Sequence, residues 1–351
     1  MNPMATITLP GLIDPHVHLR DPGQTHKENF LSGTSAALAG GFTTVLDMPN
    51  NTEPITTLER LDEKIASAQA QVVSDIGFHF GTLGDNFMEF PKVIDKVKGL
   101  KIYLNMTTGG FIIDKSKLLE IYKAWPEGKP ILLHAEEDVS ELVEHVLGQV
   151  PKASHMCHVS SQAELEFVIR AKDAGLPLTC GVTPHHLFLS DKDAEQLGPF
   201  GFMKPFLKPQ KDQAFIWSHL DYVDIIESDH APHTIAEKER DNPPFGVPGL
   251  ETTLPLMLTA ESEGRLTRQQ LIDRLHTNPA RIFNIETDDS TSVEVDMREY
   301  EIKNEDLLTK AGWTPFAGRR VIGKVQKVTL RGQAAFENGK ILAQPGSGRI
   351  L

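Results

Sequence analysis

Apolar runs alternate with amphipathic stretches from residue 7 to about residue 232 of the 351-residue chain. Eight short runs are rich in Val, Ile, Leu and Thr and show little polar alternation, which is typical of strands buried on both faces of a parallel sheet. The eight predicted strands are LIDPHVHL (12–19), FTTVLDM (42–48), IGFHF (76–80), LKIYL (100–104), ILLHA (131–135), HMCHV (155–159), PLTCGV (177–182) and VDIIESDHA (223–231).

The segments between these runs have helical spacing. Residues 27–40 place apolar side chains on one helical face, namely those of Phe30, Leu31, Ala37 and Leu38. Ser161 with Glu164 three residues later predicts a capping box at the start of another helix. Further helices are predicted at about 250–262 and 267–276, with a last turn at 278–283. Eight strands that alternate with helices predict an α/β fold, a (β/α)8 TIM-type barrel, rather than an open sheet.

The pattern changes after about residue 285. TDDSTSVEVDMREYEIKN is polar and alternating, and the tail then has two β-like runs on either side of Glu337-Asn338-Gly339, an Asn-Gly hairpin signal. We therefore expect a barrel domain at 9–285 and a small β appendage formed by residues 1–8 and 286–351, in which an N-terminal strand joins the C-terminal tail.

Composition excludes several classes of partner. The 35 basic and 48 acidic residues give a net charge of −13 without long runs of either sign, which disfavours binding to nucleic acid or to an anionic membrane. The N-terminus lacks the basic and apolar regions of a signal peptide, and no stretch reaches the roughly 18 apolar residues of a membrane span. Two cysteines, Cys157 and Cys180, fit a reducing compartment. These features predict a soluble cytoplasmic protein.

Metal-capable side chains stand at the ends of several predicted strands. Active sites of such barrels lie at the C-terminal ends of the strands, and the spacing of His16 and His18 directs both imidazoles to the same side of the first strand. The other candidates lie in or after strands four, five, six and eight, and are Lys101, His134, His158 and Asp229.

Each candidate also has a structural explanation when it is taken alone. A strand-end histidine can be a hydrogen-bonded core residue, Lys101 can be half of a buried ion pair, and Asp229 can cap a helix. Their joint occurrence favours a metal site, because imidazole and carboxylate groups suit Zn²⁺ and a catalytic site leaves one position open for water. Burial favours the neutral form of an amine, and a neutral lysine amine can add CO2 to form a carbamate that bridges two metals.

Several motifs identify a resemblance to a known family. His16-Val17-His18, GLKIYLN (99–105), LLHAE (132–136), CHVS (157–160), TPHHL (183–187), SDHAPH (228–233) and PFGVPGLET (244–252) resemble the dihydroorotases, in the cyclic amidohydrolase branch of the amidohydrolase superfamily. The similarity runs from about residue 9 to residue 283. The segment at 9–30 looks most like the dihydroorotase domain of the animal multifunctional pyrimidine enzyme and its bacterial relatives.

The resemblance implies a metal centre with two Zn²⁺ per subunit. In it, His16, His18 and Asp229 hold one ion, His134 and His158 hold the other, and a carboxylated Lys101 bridges the two. The implied reaction is the reversible cyclisation of N-carbamoyl-L-aspartate to L-dihydroorotate in pyrimidine (UMP) biosynthesis, with Asp229 as the catalytic base and then acid.

The resemblance also implies substrate contacts. Arg20, Asn50 and His233 are expected to bind the substrate carboxylate, and a planar guanidinium suits that group. Without the motif, Arg20 would be a surface ion pair with Asp21 and Asn50 a turn residue. Backbone groups of Phe245 and Gly246 are expected at the pyrimidine ring, and Thr107 and Thr108 resemble a mobile loop over the substrate. Lys204 departs from the Arg or Asn common in relatives, so its role stays open.

Two alternatives remain at this point. Hydantoinases, dihydropyrimidinases and allantoinases share the six metal positions, so only the carboxylate-binding residues separate them from dihydroorotases. A metal-free pseudo-dihydroorotase that serves as a scaffold for aspartate transcarbamoylase would lose ligands, whereas all six are present here. A homodimer and an association with aspartate transcarbamoylase are the partners that the resemblance suggests.

Overall fold

The computed structural model describes residues 6–107 and 110–351. Two sheets organise these residues, an eight-stranded parallel sheet in the order β2 to β9 and a five-stranded antiparallel sheet in the order β1-β10-β11-β12-β13. The strands are β1 (Thr6–Pro10), β2 (Leu12–Val17), β3 (Phe42–Asp47), β4 (Asp75–Gly81), β5 (Gly99–Tyr103), β6 (Ile131–His134), β7 (Ser154–Met156), β8 (Leu178–Val182), β9 (Ile225–Ile226), β10 (Ser292–Glu301), β11 (Arg320–Leu330), β12 (Gln333–Glu337) and β13 (Lys340–Ile341).

Helices follow the parallel strands and cover the outside of their sheet. They are α1 (Phe30–Ala39), α2 (Leu58–Gln69), α3 (Phe90–Val93), α4 (Leu118–Ala124), α5 (Ser140–Gln149), α6 (Gln162–Asp173), α7 (Pro184–Phe188), α8 (Asp191–Leu197), α9 (Gln210–Ser218), α10 (Ile235–Lys238), α11 (Leu250–Ser262), α12 (Arg268–Ile272) and α13 (Asn278–Ile282). None of the helices in the described ranges has the length and apolar character that crossing a bilayer requires.

The first and last parallel strands meet and close the barrel. Val17 forms a parallel bridge with His230, and the His18 amide donates to the His230 carbonyl at 2.8 Å. The predicted fold class, a TIM-type barrel with a small β appendage, is therefore confirmed. The division into domains at 9–285 and at 1–8 with 286–351 stays a prediction.

Each of the eight predicted runs contains a strand, but the last is much shorter than expected. β9 ends at Ile226, because the polar groups of the two following residues form hydrogen bonds with residues in or next to other strands. The Ser228 amide donates to the Asp14 carboxylate at 3.2 Å, and the Glu227 carboxylate accepts the His158 amide at 2.5 Å. These two bonds join the end of β9 to the ends of β2 and β7, where the metal-capable residues lie.

The first helix differs from its prediction in two respects. It begins at Phe30 rather than at residue 27, because Asn29 forms a capping box in which its side chain accepts the Ser32 amide at 2.8 Å. Leu31 was placed on the buried face, and this was wrong, since 37% of its surface is exposed.

The capping box predicted at Ser161 and Glu164 is present at the start of α6. One carboxylate oxygen of Glu164 accepts the Ser160 amide at 2.7 Å. Its other oxygen is buried and has no hydrogen-bond partner among the described residues. Burial raises the pKa of Glu164 to about 7, against an ordinary value of 4.5. The folded chain therefore binds a proton between these pH values that the unfolded chain releases.

We expect Glu164→Gln to remove a pH-dependent loss of stability. Because the pKa is raised by folding, the carboxyl group destabilises the parent increasingly from pH 4.5 to about 7, by about 3 kcal/mol over the interval. Glutamine preserves the acceptor of the capping box and does not titrate. Urea unfolding at pH 5 and pH 8 should show the variant gaining stability relative to the parent as pH rises. An equal difference at both values would contradict this expectation.

The tail forms the predicted hairpin. Glu337 pairs with Lys340 across Asn338 and Gly339, whose φ angles of 50° and 81° are those of a tight Asn-Gly turn. The N-terminal strand β1 joins the same sheet by pairing with β10.

The chain between β10 and β11 is anchored on the barrel by two acidic residues. The Glu251 carboxylate accepts the amides of Leu308 and Thr309 at 2.7 and 2.9 Å, and the buried Glu28 accepts the Lys310 amide at 3.2 Å. The tail therefore contacts the barrel beside its catalytic end.

Candidate metal centre and substrate cavity

Four imidazoles predicted as metal ligands lie side by side at the C-terminal end of the barrel. The ring centroids of His16 and His18 are 5.4 Å apart, those of His16 and His158 are 5.2 Å apart, and those of His134 and His158 are 4.6 Å apart. His16 lies in β2, His134 ends β6, and the other two directly follow their strands. The structure thus brings together residues that three separate strands contribute.

Asp229 completes this cluster from the last strand. Its Oδ1 atom lies 3.3 Å from Nε2 of His16 and 3.1 Å from Nε2 of His18. The other nitrogen of each ring faces a different partner. Nδ1 of His18 lies 2.7 Å from the Asn50 amide oxygen, and Nδ1 of His16 lies 3.3 Å from Oε2 of Glu227. The Asn50 oxygen accepts from Nδ1 of His18, and the Glu227 carboxylate beside Nδ1 of His16 favours a proton there electrostatically, although this pair lacks hydrogen-bond geometry. Both rings thereby direct an Nε2 lone pair at Asp229.

This arrangement fits a cation. Two lone pairs and a carboxylate oxygen at about 3 Å repel one another unless a proton or a metal ion lies among them. Ligand atoms of His16, His158 and Asp229 all lie within 4.8 Å of one another. In the described part of the chain, Nε2 of His134 and Nδ1 of His158 are buried without a hydrogen-bond partner. Nδ1 of His134 and Nε2 of His158 also lie 3.0 Å apart. The donor set fits a metal ion, and which of these side chains bind one stays a prediction.

Burial keeps the imidazoles neutral. It lowers the pKa of His16 to about 4, with the charge of Lys101 as the second cause. Burial likewise holds the pKa values of the other three rings below their ordinary value, those of His18, His134 and His158. Neutral imidazole is the form that binds metals, so the cluster is prepared for ligation at neutral pH.

Lys101 lies beneath this cluster in β5 and is fully buried. Its Nζ atom donates to Sγ of Cys157 at 3.1 Å and lies 4.9 Å from the centre of the Tyr103 ring. No carboxylate of the described residues is within 4.0 Å of Nζ, so the alternative of a buried ion pair was wrong. Burial raises the pKa of the Cys157 thiol to about 12, so this residue is a small buried thiol.

Three residues of the site have backbone angles that are unusual for side chains with a Cβ atom. Arg20, His158 and Asp229 have φ values of 64°, 38° and 45°. Such a conformation costs on the order of 1–3 kcal/mol per residue and persists only where the surroundings enforce it, typically at functional sites. Three of the six described non-glycine residues with positive φ therefore lie at this end of the barrel.

Two acidic residues of the site were missed by the sequence analysis. Asp14 accepts the His16 amide at 3.1 Å, and Oε2 of Glu227 lies 3.3 Å from Nδ1 of His16. Burial opposes the charge of Glu227, but neighbouring imidazoles, that of His16 first, hold the pKa of this carboxyl below its ordinary value. Both residues stand two positions before a metal-capable residue, so the strand alternation that singled out the histidines could have found them.

Arg20 and Asn50 line the same cavity as the imidazoles. The cavity also has Thr107, Phe245 and Gly246 on its walls. Arg20 is buried, and its Nε donates to the Pro232 carbonyl at 3.2 Å, so the alternative of a surface ion pair with Asp21 was wrong. Thr108 lies outside the described residues.

His233 is placed differently from the other predicted substrate contacts. It is fully buried behind Arg20 and is not among the described residues that line the cavity. Its Nδ1 accepts from the Lys27 ammonium at 3.2 Å, its Nε2 donates to the Phe245 carbonyl at 2.9 Å, and Arg20 Nη2 lies 3.2 Å from Nε2. In this tautomer His233 packs against Arg20 without a hydrogen bond to it, and its direct contact with substrate stays a prediction.

Lys204 also lines the cavity. Its ammonium lies 3.9 Å from the centre of the Phe206 ring and 3.8 Å from Oε1 of Glu136. It therefore adds a second cationic side chain to the cavity wall, beside the aromatic rings of Phe206 and Phe245.

The barrel and the buried histidine–carboxylate cluster define a metal-dependent hydrolase of the amidohydrolase class. The profile of the Amidohydrolase family matches residues 7–171. The fold alone is also that of the L-hydantoinase (dihydropyrimidinase) of Arthrobacter aurescens, with a TM-score of 0.92 at 23% identity over 98% of this chain and 88% of that one.

Sequence relatives narrow the class. The dihydroorotase of Pyrococcus abyssi is 37% identical over 98% of this chain and 87% of its own length. The multifunctional protein CAD of Squalus acanthias is 44% identical over 98% of this chain, which spans only 15% of that longer protein. The chain belongs to the dihydroorotase family. An inactive dihydroorotase-like domain of a Chaetomium thermophilum CAD-like protein is also similar, at 27% identity and a TM-score of 0.84, over 98% of this chain and 99% of that domain.

Proposed function

We propose that this chain is a dihydroorotase, which interconverts N-carbamoyl-L-aspartate and L-dihydroorotate in de novo pyrimidine biosynthesis. The observation that carries the proposal is a single cavity whose walls include both a metal-ligand set and the buried guanidinium of Arg20. A ring amide that also bears a carboxylate is the kind of substrate that these two features recognise together.

The proposed cofactor is a pair of Zn²⁺ ions. His16, His18 and Asp229 would hold one ion and His134 and His158 the other, with Lys101 carboxylated between them. Imidazole and carboxylate ligands suit zinc, and the Nδ1 contacts of His16 and His18 provide the outer-shell support that such ligands need. Bound zinc supplies Lewis acidity, which lowers the pKa of a water molecule and polarises a carbonyl group.

The residues of this chain orient the substrate and move the proton. Arg20 and Asn50 would bind the substrate carboxylate, and Phe245 and Gly246 would face the ring. Asp229 would accept a proton from the attacking water and return it to the ring nitrogen as the amide C–N bond breaks. Ring opening consumes one water molecule, and ring closure releases it by the same steps in reverse.

The substrate preference separates this proposal from the other cyclic amidohydrolases. Purified, zinc-supplemented protein should hydrolyse L-dihydroorotate at least about a hundredfold better, in kcat/KM, than dihydrouracil, hydantoin or allantoin. The reason is that a buried guanidinium left without a carboxylate costs on the order of 2–5 kcal/mol. Steady-state assays with the four substrates measure the ranking, and the opposite ranking would assign the chain to another cyclic amidohydrolase.

The inactive scaffold is disfavoured because all six metal positions carry a residue able to ligate, with Lys101 in carboxylated form. Absence of zinc in the protein after zinc-supplemented expression would favour the scaffold again.

We also propose a cytoplasmic location, on the basis of two buried free cysteines. The proposed partners are a second copy of this chain, in a homodimer, and aspartate transcarbamoylase. Light scattering of the chain alone and with that enzyme tests the last two proposals.

A further inference from the structure

One lysine beside the cavity is buried without a carboxylate partner. Lys238 ends α10, its side chain has no exposed surface, and none of the described carboxylates lies within 4.0 Å of its ammonium group. An isolated buried charge is expensive unless hydrogen bonds replace its hydration. The burial of the Lys238 ammonium group therefore requires hydrogen-bond acceptors other than a carboxylate.

Backbone carbonyls provide the missing hydrogen bonds. The Lys238 ammonium donates to the carbonyls of Phe202, Pro244 and Gly246 at 3.0, 2.9 and 3.2 Å. An ammonium group has three N–H donors, so all of them are used. The indole ring of Trp313 lies 5.6 Å from the ammonium and adds a cation–π contact.

The three carbonyls belong to two segments that build one wall of the substrate cavity. The Gly246 amide donates to the Phe202 carbonyl at 3.0 Å, and the rings of Phe202 and Phe245 stack with their centroids 6.0 Å apart. Phe245 and Gly246 face the cavity. Lys238 is thus the side chain that ties both segments together from behind the wall.

At Gly246, the backbone of this wall has a conformation that only glycine adopts readily. Its φ is 132°, and a Cβ atom at this position would lie 2.5 Å from the Ala231 carbonyl oxygen. The backbone therefore passes closer to Ala231, two residues after Asp229, than a residue with a Cβ atom would allow.

We propose that Lys238 is a positioning residue for the substrate ring, which fixes the backbone at residues 245–246 relative to the metal ligands. This inference rests on the proposed function, since it concerns the ring of dihydroorotate. Lys238 touches no reacting atom, so its loss should weaken substrate binding while the proton transfer by Asp229 is retained.

The test replaces the ammonium by an apolar group of similar length. With zinc-loaded Lys238→Met, we expect the KM for L-dihydroorotate to rise about tenfold to thirtyfold while kcat stays within about threefold of the parent and the zinc content is unchanged. Lys238→Arg, which keeps donors for the carbonyls, should recover at least half of the lost affinity on a logarithmic scale. A KM for Lys238→Met within twofold of the parent, or a loss confined to kcat, would overturn the inference.

Lys172→Met is the matched control. Lys172 lies in α6, away from the cavity, and also donates to a backbone carbonyl, that of Tyr222, at 2.6 Å. Its replacement should lower stability and leave KM and kcat within twofold of the parent. An equal rise of KM in this control would show that general destabilisation causes the effect.

Hydrogen exchange without substrate separates this inference from the proposed function. In Lys238→Met the amide of Gly246 should exchange at least tenfold faster, whereas the Leu104 amide, bonded to the His134 carbonyl at 2.9 Å, should be unchanged. Unchanged exchange at Gly246 would sink the inference even if the parent is active, and an inactive parent with the expected exchange would sink only the proposed function. If Lys238→Met does not fold, Lys238→Gln takes its place with the same criteria.

Discussion

Asp229→Asn is expected to lower kcat for dihydroorotate hydrolysis by about 10³-fold, within the range of about 10²–10⁴-fold that general acid–base catalysis contributes. The amide has the size of the carboxylate but cannot accept the proton of the attacking water. Nε2 atoms of His16 and His18 lie 3.3 and 3.1 Å from Oδ1 of Asp229, so in the proposed site the variant would also lose one anionic ligand. Steady-state kinetics with zinc analysis of the same sample measures both effects.

Asp212→Asn is the control for this variant. Asp212 is also a buried carboxylate, but it accepts the Gln162 amide at 2.9 Å and does not line the cavity. Its replacement should reduce stability and leave kcat within twofold. If zinc-loaded Asp229→Asn retained more than a tenth of the parent kcat, Asp229 would not be the proton carrier.

Lys101→Met is expected to lower the zinc content from two ions to one or none and to reduce kcat by about 10³-fold, which corresponds to about 4 kcal/mol of lost transition-state stabilisation. Lys101 is fully buried and has only a thiol and an aromatic ring as its described partners, so its amine is placed for modification rather than for an ion pair. In the proposed site, His134 and His158 would form an incomplete ligand set without a bridging carbamate.

Elemental analysis of the purified variant measures the zinc content. Lys98→Met is the control, since Lys98 is a half-buried lysine just before the same strand and does not line the cavity. It should keep the parent metal content and kcat. A Lys101→Met enzyme with two zinc ions and parental activity would remove the bridging role from the account.

The fold was predictable because a parallel strand that is buried on both faces has a nearly continuous run of apolar residues. Runs such as 42–48 and 131–135 contain β3 and β6 almost residue for residue. The run at 223–231 was also predicted as a strand, yet only Ile225 and Ile226 form one. After Ile226, hydrogen bonds to Asp14 and His158, which are distant in sequence, replace the hydrogen bonds of a regular parallel sheet. The local pattern of apolar and polar residues does not reveal such long-range bonds.

The candidate site was predictable in its composition more than in its geometry. Alternation along one strand places His16 and His18 on one side, but only closure of the barrel brings Asp229, 211 positions beyond His18, to within 3.1 Å. The burial of His233 depends on Lys27 and Phe245, which lie far from it in sequence or across a loop. Packing partners of this kind are set by tertiary structure, so sequence spacing cannot specify them.

The central claim is that six side chains from five strands of the barrel hold two metal ions at its C-terminal end. Anomalous diffraction at the zinc edge, from crystals grown with zinc and bicarbonate, tests it directly. We expect two peaks about 3.5–4 Å apart, one beside Asp229 and the pair His16 and His18, the other beside His134 and His158, with electron density for a carboxylate on Lys101. A zinc peak remote from these side chains, with no peak among them, would contradict the account.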